Sequence, residues 1–175
     1  MTLKASVRDA TEDDLPAILA IYNEVIATST AVYSLEASTL EERRAWLRIR
    51  CSKHFPVIVA LASDDVVGFA SFAEWRGAWP GYRYTVEHTV HVRRDVRGLG
   101  IGRGLIEELF PRALALGKHV MIGGIDAAND ASIRFHERLG FERVALFREV
   151  GHKFDRWLDL VFVQRFLDAP GTSRL

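Results

Sequence analysis

Apolar residues near the start of the chain recur at helical spacing. After a short strand expected at residues 6–9, Thr11 can cap a helix whose apolar positions over residues 15–26 repeat every three or four places. The stretch TLEERRAWLRIRC predicts a second helix, with Thr39 as its cap and Glu42 at the capping-box position. Between these helices, TAVYSLEAS has no such repeat and predicts a loop. The chain therefore opens with a strand and two capped helices.

The following segments alternate strands with helices. VIVALAS and VVGFASFAEW predict two strands around a turn at residues 64–65, and YTVEHTVHV predicts a third, with valines on one face and Glu87 on the other. A helix to about Leu116, the strand HVMIGGI, the helix DASIRFHERLG and late strands near ERVALFREV and LDLVFVQRF complete the pattern. This order predicts an α/β fold with a mixed sheet flanked by helices. A length of 175 residues suits one domain, residues 1–175, with a core at about residues 6–167.

Composition and charge exclude several classes of protein. Hydrophobic residues make up 49% and charged residues 26% of the chain, as in soluble globular proteins. Lysine plus arginine and aspartate plus glutamate both total 23, so the formal net charge of zero argues against a nucleic-acid or anionic-membrane partner. The single cysteine, Cys51, excludes an internal disulfide and a cysteine-based metal site. No apolar run reaches the roughly 18 residues of a membrane span, so we expect a cytoplasmic protein. No pair of histidines stands at metal-ligand spacing with a third ligand, so we also expect no metal.

The stretch RDVRGLGIGRGLIEELF places glycine at positions 98, 100, 102 and 104, after a strand and at the start of a helix. A Walker loop is excluded because no Gly-Lys-Ser/Thr follows, and the dinucleotide fingerprint fails because its third glycine is missing. The remaining pattern is Arg-x-x-Gly-x-Gly, which begins at Arg97. Bare backbone at a helix N-terminus can direct N–H groups at a pyrophosphate, and the helix dipole favours that negative charge. A plain strand-to-helix turn is the alternative, but such a turn rarely needs four glycines.

The glycine motif and four further stretches resemble a known family. VHVRRDVRGLGIGRGLIEEL resembles the acetyl-CoA loop of the GNAT superfamily of N-acetyltransferases. YTVEHTVHV, NDASIRFHERLGF, VGHKFDRWLDL and the opening DATEDDLPAILAIYNEVIATSTAVYS resemble its phosphinothricin and methionine sulfoximine acetyltransferase subgroup. The resemblance runs from about Val7 to Phe166. The Arg-x-x-Gly-x-Gly loop alone is moderately specific, whereas its combination with TVEHTV and VGHKFDRW is highly specific.

The resemblance first implies a binding mode for acetyl-CoA as the co-substrate. It implies the GNAT fold, a mixed and splayed sheet in which the strand that ends at Val92 parts from the strand at residues 120–125. The pantetheine arm lies in that gap and bonds to the backbone of Val90, His91 and Val92. Its pyrophosphate lies on backbone amides of the loop, which here comprises Arg97, Gly98, Leu99, Gly100, Ile101, Gly102 and Arg103.

Acetylation of an amine requires a base that removes a proton. By position alone Glu87 would suit a solvated or ion-paired strand carboxylate, but the resemblance implies that it is the functional glutamate. Asn129, Ser132 and His136 fall near one helical face and can border the thiol end of the cofactor. Many GNAT members have tyrosine where His136 stands, whereas the subgroup has a functional histidine there. His136 is therefore an acid or a positioning residue, with a half-buried, hydrogen-bonded histidine as the alternative.

A further set of residues can bind an amino-acid substrate. Arg76, in EWRGAW, can pair with a carboxylate through two guanidinium nitrogens, or it is a surface arginine. Three aromatic residues can form the walls of a pocket or belong to the core, namely Tyr33, Trp75 and Tyr84. Lys153 matches the subgroup's active-site loop VGHKFDRW, or it is a solvated loop charge. His88 is expected to be a hydrogen-bonded core histidine, and the charges of RRD and EERR are expected to be solvated.

The residues and the resemblance together predict an acetyl-CoA-dependent N-acetyltransferase that acts directly on the α-amine of a small amino-acid-like substrate. No Gly-x-Ser-x-Gly elbow is present and Cys51 lacks a nucleophile signature, which disfavours an acyl-enzyme. The resemblance points to phosphinothricin, methionine sulfoximine or methionine sulfone, and it implies a homodimer. The alternatives are a protein N-terminal acetyltransferase, which should need an open groove, and a non-catalytic acyl-CoA sensor, against which Glu87 and His136 count.

Overall fold

The helices and strands follow the order that the apolar pattern predicts. The computed structural model describes residues 5–167. Its strands and helices, in chain order, are β1 (Ser6–Asp9), α1 (Leu15–Thr28), α2 (Leu40–Ser52), β2 (Val57–Ala62), β3 (Asp65–Glu74), β4 (Thr85–Val92), α3 (Ile101–Ala115), β5 (Val120–Asp126), α4 (Asp130–Arg138), β6 (Glu142–Lys153) and β7 (Arg156–Phe166). The single domain over residues 1–175 stays a prediction, and its positions 1–4 and 168–175 lie outside the described residues.

The strands form one sheet in the order β1-β2-β3-β4-β5-β7-β6. Strands β4 and β5 run parallel, and the other neighbouring pairs run antiparallel. A parallel pair needs a crossover, and here the crossover between β4 and β5 is the glycine-rich loop followed by α3. The predicted mixed α/β sheet is confirmed.

Apolar residues cover both faces of the sheet, because helices pack on each side. In β2, Val57 and Val59 point into a cluster with α1 and α2, while the intervening Ile58 and Ala60 point into a larger cluster with α3 and α4. Side chains alternate between the faces of a strand, so a continuous apolar run such as VIVA supplies both layers.

Local capping signals in the sequence set where α1 and α2 begin. The Thr39 hydroxyl accepts a hydrogen bond from the Glu42 N–H at 3.2 Å, and the Glu42 carboxylate accepts one from the Thr39 N–H at 2.7 Å. This is the predicted capping box. Thr11 precedes a short 3-10 turn, Glu12–Asp14, that leads directly into α1.

The stretch VGHKFDRW is a β-hairpin, and its interpretation as a loop is wrong. Strand β6 continues to Lys153, β7 begins at Arg156, and the two turn residues between them are Phe154 and Asp155. Both have positive φ, 53° and 55°, as a tight two-residue hairpin turn requires. The hairpin carries Lys153 into the protein instead of leaving it in solvent.

The sheet opens between its two parallel strands. Pairing of β4 with β5 covers Thr85, Val86 and Glu87, and ends with Glu87 opposite Ile122. Beyond that point β4 stays paired with β3 as far as Val92, which lies opposite Gly68. The predicted parting of the strands is therefore present, and Glu87 lies at its vertex.

Candidate active site

The glycine-rich loop ends in an uncapped helix N-terminus. Gly98 and Gly100 have φ values of 78° and 90°, a left-handed conformation that favours glycine. Helix α3 starts at Ile101, and the amide of Gly104 donates to the carbonyl of Gly100 at 3.1 Å. The amides of the first turn before Gly104 have no intrahelical acceptor. Several N–H groups are thus free to bind an anion at the positive end of the helix dipole.

A cavity of about 590 Å³ lies over this loop, and we call it the loop cavity. It is bordered by β4, the glycine loop, the start of α3 and one face of α4. The predicted cofactor residues that line it are Val90, His91, Val92, Arg97, Gly98, Gly100, Ile101, Gly102, Arg103, Asn129 and Ser132. Leu99 is the one predicted cofactor residue that does not line it. The loop cavity therefore has the anion-binding end and the strand edge that a nucleotide thioester needs.

Backbone groups of β4 face the gap in the sheet at alternate residues. The amide of Arg93 donates to the Val67 carbonyl of β3 at 2.9 Å. In an antiparallel pair successive residues alternate in direction, so the backbone groups of Val92 and Val90 face away from β3, into the gap. The Arg97 guanidinium donates to the outward carbonyl of Val92 at 2.9 Å. The same alternation turns the backbone of His91 towards β3 and leaves its imidazole to line the cavity.

A second cavity, of about 400 Å³, surrounds the side chain of Glu87, and we call it the Glu87 cavity. Its walls come from β4, the C-terminal end of β5, the loop after α1, and α2. The residues that line both cavities are Ala31, Val90, His91, Asn129, Ser132 and His136. The two cavities therefore adjoin each other beside the gap in the sheet, at Val90 and His91 of β4.

Glu87 is half-buried in the Glu87 cavity, three residues before Val90, which lines both cavities. Burial raises the pKa of its carboxyl above the ordinary value of 4.5. It forms no ion pair within residues 5–167, and burial alone accounts for the direction of the pKa change. Gly124 on the adjacent strand leaves room for it, since a Cβ at position 124 would lie 3.3 Å from Glu87 Oε1. A carboxylate with a raised pKa is a stronger base than a solvated glutamate.

Two buried histidines stack against each other beside Glu87. The rings of His88 and His136 are 5.1 Å apart at an interplanar angle of 23°. His136 Nδ1 lies 2.7 Å from the carbonyl of Ser132 and must donate to it, so its neutral ring has an unprotonated Nε2. Burial lowers the pKa of both rings, which are therefore neutral at pH 7. The expectation that His88 is hydrogen-bonded is wrong, because neither of its ring nitrogens has a partner among the described residues.

The α4 cap holds His136 in place. Asn129 precedes α4, and its side-chain oxygen accepts from the Ser132 amide at 3.0 Å. Ser132 in turn offers its carbonyl to His136. The three residues predicted to share a helical face thus form one hydrogen-bonded chain at the junction of the cavities.

None of the five predicted substrate residues lines either cavity, and three of them belong to the segment between β3 and β4. Arg76 is exposed, and its guanidinium lies 5.3 Å from the centroid of the Tyr82 ring. Trp75 packs edge-on against Phe162 at 5.0 Å, and 51% of Tyr84 is exposed. The chain does not bring these side chains to the Glu87 cavity.

Lys153 is buried, which differs from both expectations for it in the sequence analysis. It is only 3% exposed, and its Nζ donates to the carbonyls of Ile26 at 2.6 Å, Ser29 at 2.9 Å and Val32 at 2.7 Å. Both the substrate contact and the solvated charge are contradicted, because all three N–H groups bind backbone. Lys153 instead ties the end of α1 to the loop that walls the Glu87 cavity.

Tyr33, the remaining predicted substrate residue, also supports this loop. Its hydroxyl donates to the carbonyl of Asp159 at 3.3 Å. Its ring packs so closely on Gly151 that a Cβ there would lie 2.4 Å from it. Tyr33 does not line either cavity.

Two arginines of α2 that the sequence analysis missed line the Glu87 cavity. Arg43 belongs to EERR, which was expected to be solvated, and Arg50 lies seven residues later. Trp46 lies between them in sequence and lines the same cavity. The spacing i, i+3 and i+7 places all three on one helical face. This spacing is the sequence feature from which their shared position could have been predicted.

The described residues, 5–167, include neither a metal-binding cluster nor a membrane-spanning helix. No group of three or more histidine, cysteine, aspartate or glutamate side chains could hold a metal ion in this range. None of its helices is long and apolar enough to cross a membrane.

Comparison with known proteins agrees with this geometry. A model of the acetyltransferase (GNAT) family matches residues 18–141. An L-methionine sulfoximine/L-methionine sulfone acetyltransferase from Pseudomonas aeruginosa is 47% identical over 172 residues, which cover 98% of this chain and 99% of that protein. A phosphinothricin N-acetyltransferase from Streptomyces coelicolor is 35% identical, with 94% and 97% covered. The structure of an acetyltransferase from Salmonella typhimurium with its cofactor acetyl-CoA has a TM-score of 0.91 at 41% identity, with 96% of each chain covered.

Replacing Lys153 with methionine should destabilise the fold. The change keeps the length of the side chain but removes three charged hydrogen bonds from buried carbonyls, for a loss of about 2–4 kcal/mol in the free energy of unfolding. Chemical denaturation measures it. Lys53→Met is the control, since Lys53 is 49% exposed and pairs only with Glu74, and should cost under about 1 kcal/mol. Equal losses in the two variants would contradict the buried role of Lys153.

Proposed function

Because the chain belongs to the acetyltransferase (GNAT) family, we propose that it transfers an acetyl group from acetyl-CoA to the α-amine of a small amino-acid-like substrate. Methionine sulfoximine, methionine sulfone and phosphinothricin are the substrates favoured by its relatives. The observation that carries the proposal is the position of Glu87. It is a half-buried carboxylate without an ion-pair partner in the described residues, and it lines the Glu87 cavity on the same strand as Val90 and His91, which line both cavities.

The loop cavity suits acetyl-CoA, the acetyl donor. The amides at the start of α3 would hold the pyrophosphate, since they have no intrahelical acceptor. The outward backbone groups of Val90 and the N–H of Val92 would pair with the pantetheine arm, since the Val92 carbonyl already accepts from Arg97. Acetyl-CoA supplies an activated thioester, and the residues of the chain orient it and exclude water.

Glu87 acts as the base in this proposal. An α-amine is mostly protonated at neutral pH, so a proton must leave before or during attack on the thioester. A carboxylate with a raised pKa is better matched to that task than an ordinary glutamate. Cys51 is exposed and lines neither cavity, which favours direct transfer over an acyl-enzyme.

His136 positions the reacting groups and does not act as the acid. Its proton is on Nδ1, bound to a carbonyl, and its ring is neutral, so Nε2 has no proton to give. The unprotonated Nε2 can accept a hydrogen bond from the thiol end of the donor or from a bridging water. The anchored ring also fixes the end of α4 against β4.

A homodimer and a cytoplasmic location are the remaining parts of the proposal. Strand β6 forms an edge of the sheet, and its apolar side chains are about half exposed: Val144, Leu146, Phe147 and Val150. Trp157 on the neighbouring strand is 64% exposed. Monomeric proteins rarely leave such an edge uncovered, so a second copy is a fitting partner for it.

The two rival functions make different demands on the cavities. A protein N-terminal acetyltransferase must let a chain leave the Glu87 cavity, whereas a volume of about 400 Å³ suits a free amino acid. A non-catalytic sensor would bind acetyl-CoA but acetylate no amine. A thiol-release assay on amino acids, their sulfoximine, sulfone and phosphinic analogues, and short peptides separates the three. We expect the free analogues to be the best substrates; turnover of peptides alone, or of nothing, would contradict the proposal.

Replacing Gly102 with valine should weaken acetyl-CoA binding without unfolding the protein. A Cβ at Gly102 makes only ordinary contacts, 3.5 Å from Phe135, but the added methyl groups enter the loop cavity. Losing one charged hydrogen bond to phosphate corresponds to about a 10- to 100-fold rise in Kd. Calorimetry measures the affinity. Gly104→Val is the matched control, because a Cβ at Gly104 meets nothing within 4 Å and Gly104 lines neither cavity. Unchanged affinity in folded Gly102→Val would refute the pyrophosphate site.

Replacing Glu87 with glutamine should abolish the acid limb of the pH–rate profile. The base works only when it is deprotonated, so in the parent kcat/KM falls as pH drops through the raised pKa of Glu87, above 4.5. The glutamine variant should retain acetyl-CoA affinity, lose about 10²- to 10⁴-fold in kcat, and lack that limb. Profiles of kcat/KM against pH for parent and variant test this. An unaltered kcat and profile in the variant would remove Glu87 from the mechanism.

A further inference from the structure

Two consecutive glycines, Gly123 and Gly124, lie in β5 where its pairing with β4 ends. Successive positions of a strand face opposite sides of the sheet, so each glycine leaves room on a different face. A Cβ at Gly124 would lie 3.3 Å from Glu87 Oε1, whereas a Cβ at Gly123 would lie only 2.6 Å from His88 Nε2. The glycine pair thus gives room to two successive side chains of β4, and at Gly123 that room is fully used.

The imidazole of His88 is enclosed on several sides. His88 is 8% exposed, the ring of Phe141 meets its ring edge-on at 5.4 Å, and the ring of His136 stacks on it at 5.1 Å. Gly123 closes a further side. The ring of His88 therefore has a fixed place, and the ring of His136 rests on it.

The shape of the imidazole, and not its hydrogen bonding, explains a histidine at position 88. Both ring nitrogens are buried without a partner among the described residues, which destabilises a fold. Leucine would avoid that cost but has no flat face to stack on a ring. Phenylalanine has a flat face but reaches further, and Gly123 leaves no space for the longer ring. Histidine has the smallest aromatic ring among the side chains, so it can both stack and fit.

The ring of His136 needs this support because one hydrogen bond does not fix its plane. Its Nδ1 bonds the Ser132 carbonyl at 2.7 Å, and its Nε2 has no partner within residues 5–167. The rings of Phe135 and Phe141 meet it edge-on, at 5.0 Å and 5.4 Å. His88 is the ring that stacks on its face, at an interplanar angle of 23°. The hydrogen bond holds one atom of the His136 ring, and the stack holds its plane.

Charge does not oppose the stack. Burial, followed by smaller contributions from His136 and His91, holds the pKa of His88 well below its ordinary value of 6.5. Burial also lowers the pKa of His136. Both rings are neutral at pH 7, so they do not repel each other while the enzyme works.

We propose that His88 is a positioning residue of acetyl transfer: packed against Gly123, it fixes the plane of the His136 ring. The proposal rests on the proposed function and adds to it a residue that acts through His136. Because His136 lines both cavities, a tilt of its ring changes where Nε2 meets the thiol end of acetyl-CoA. His88 borders the Glu87 cavity, but its ring nitrogens are buried, so its effect passes through the stacked ring.

A double-mutant cycle tests whether His88 acts through His136. His88→Ala should lower kcat with methionine sulfone about 10- to 100-fold, as expected when a reacting group is misplaced by about 1 Å. The Kd for acetyl-CoA, measured by calorimetry, should change less than about threefold, because the glycine loop is intact. His136→Ala should lower kcat by a similar factor. The double variant should be within about threefold of His136→Ala, since no ring remains to be positioned. Losses in kcat that multiply would overturn the proposal.

Gly123→Ala provides a second test in which both histidines are kept. The added methyl must displace the His88 ring, so kcat should fall about tenfold. In a chain that also has His88→Ala the clash is gone, so this double variant should be no slower than His88→Ala alone. Gly104→Ala is the control and should leave kcat unchanged, because a Cβ there meets nothing within 4 Å and Gly104 lines neither cavity. Parental kcat in folded Gly123→Ala would contradict the proposal.

Two further measurements separate this proposal from loss of the fold and from the function on which it rests. Chemical denaturation of each variant gives its folded fraction, and kcat is calculated per folded enzyme. A parent that acetylates no amine would overturn the proposed function itself. An active parent whose His88 and His136 losses multiply would overturn the role of His88 alone.

Discussion

The parting of β4 from β5 after Glu87 is the constraint on which the rest of the site depends. Two parallel strands that stayed paired would bury their backbone groups in the ladder and close the space between the cavities. Here pairing ends at Glu87 and Ile122, and β4 continues beside β3 alone. The gap exposes alternate backbone groups of β4 and joins the loop cavity to the Glu87 cavity, and the carboxylate of Glu87 lies three residues along β4 from Val90, which lines both.

The site is organised by buried polar groups whose protonation states differ. Burial keeps the two stacked histidines neutral and raises the pKa of Glu87. Lys153, although buried, donates three hydrogen bonds to backbone carbonyls and so can remain charged. Burial therefore has three different results: neutral histidine rings, a more basic Glu87 and a charged, structural Lys153. The hydrogen-bond partners of each group decide between them.

The features that sequence predicted well are local ones. The capping box at Thr39 depends on residues three positions apart, and the glycine motif combines a strand end, a turn and a helix start within a few residues. The contacts of Lys153 and the position of Arg50 in the Glu87 cavity could not be predicted from local sequence patterns. Lys153 meets the carbonyl of Ile26, 127 positions away, and a spacing pattern gives no sign of such a contact. Arg50 is half-buried only because α2 packs over the sheet, and its place within the sequence of α2 does not show that packing. The family resemblance supplied Glu87 and His136, whose positions alone suited a solvated carboxylate and a core histidine.

The central claim is that donor and acceptor bind together and react directly where the cavities meet. Initial rates measured over a grid of acetyl-CoA and methionine sulfone concentrations test this most directly. Direct transfer requires both substrates on the enzyme at once, so double-reciprocal plots should give intersecting lines. Parallel lines, together with release of free thiol from acetyl-CoA before any amine is added, would indicate an acyl-enzyme and contradict the account.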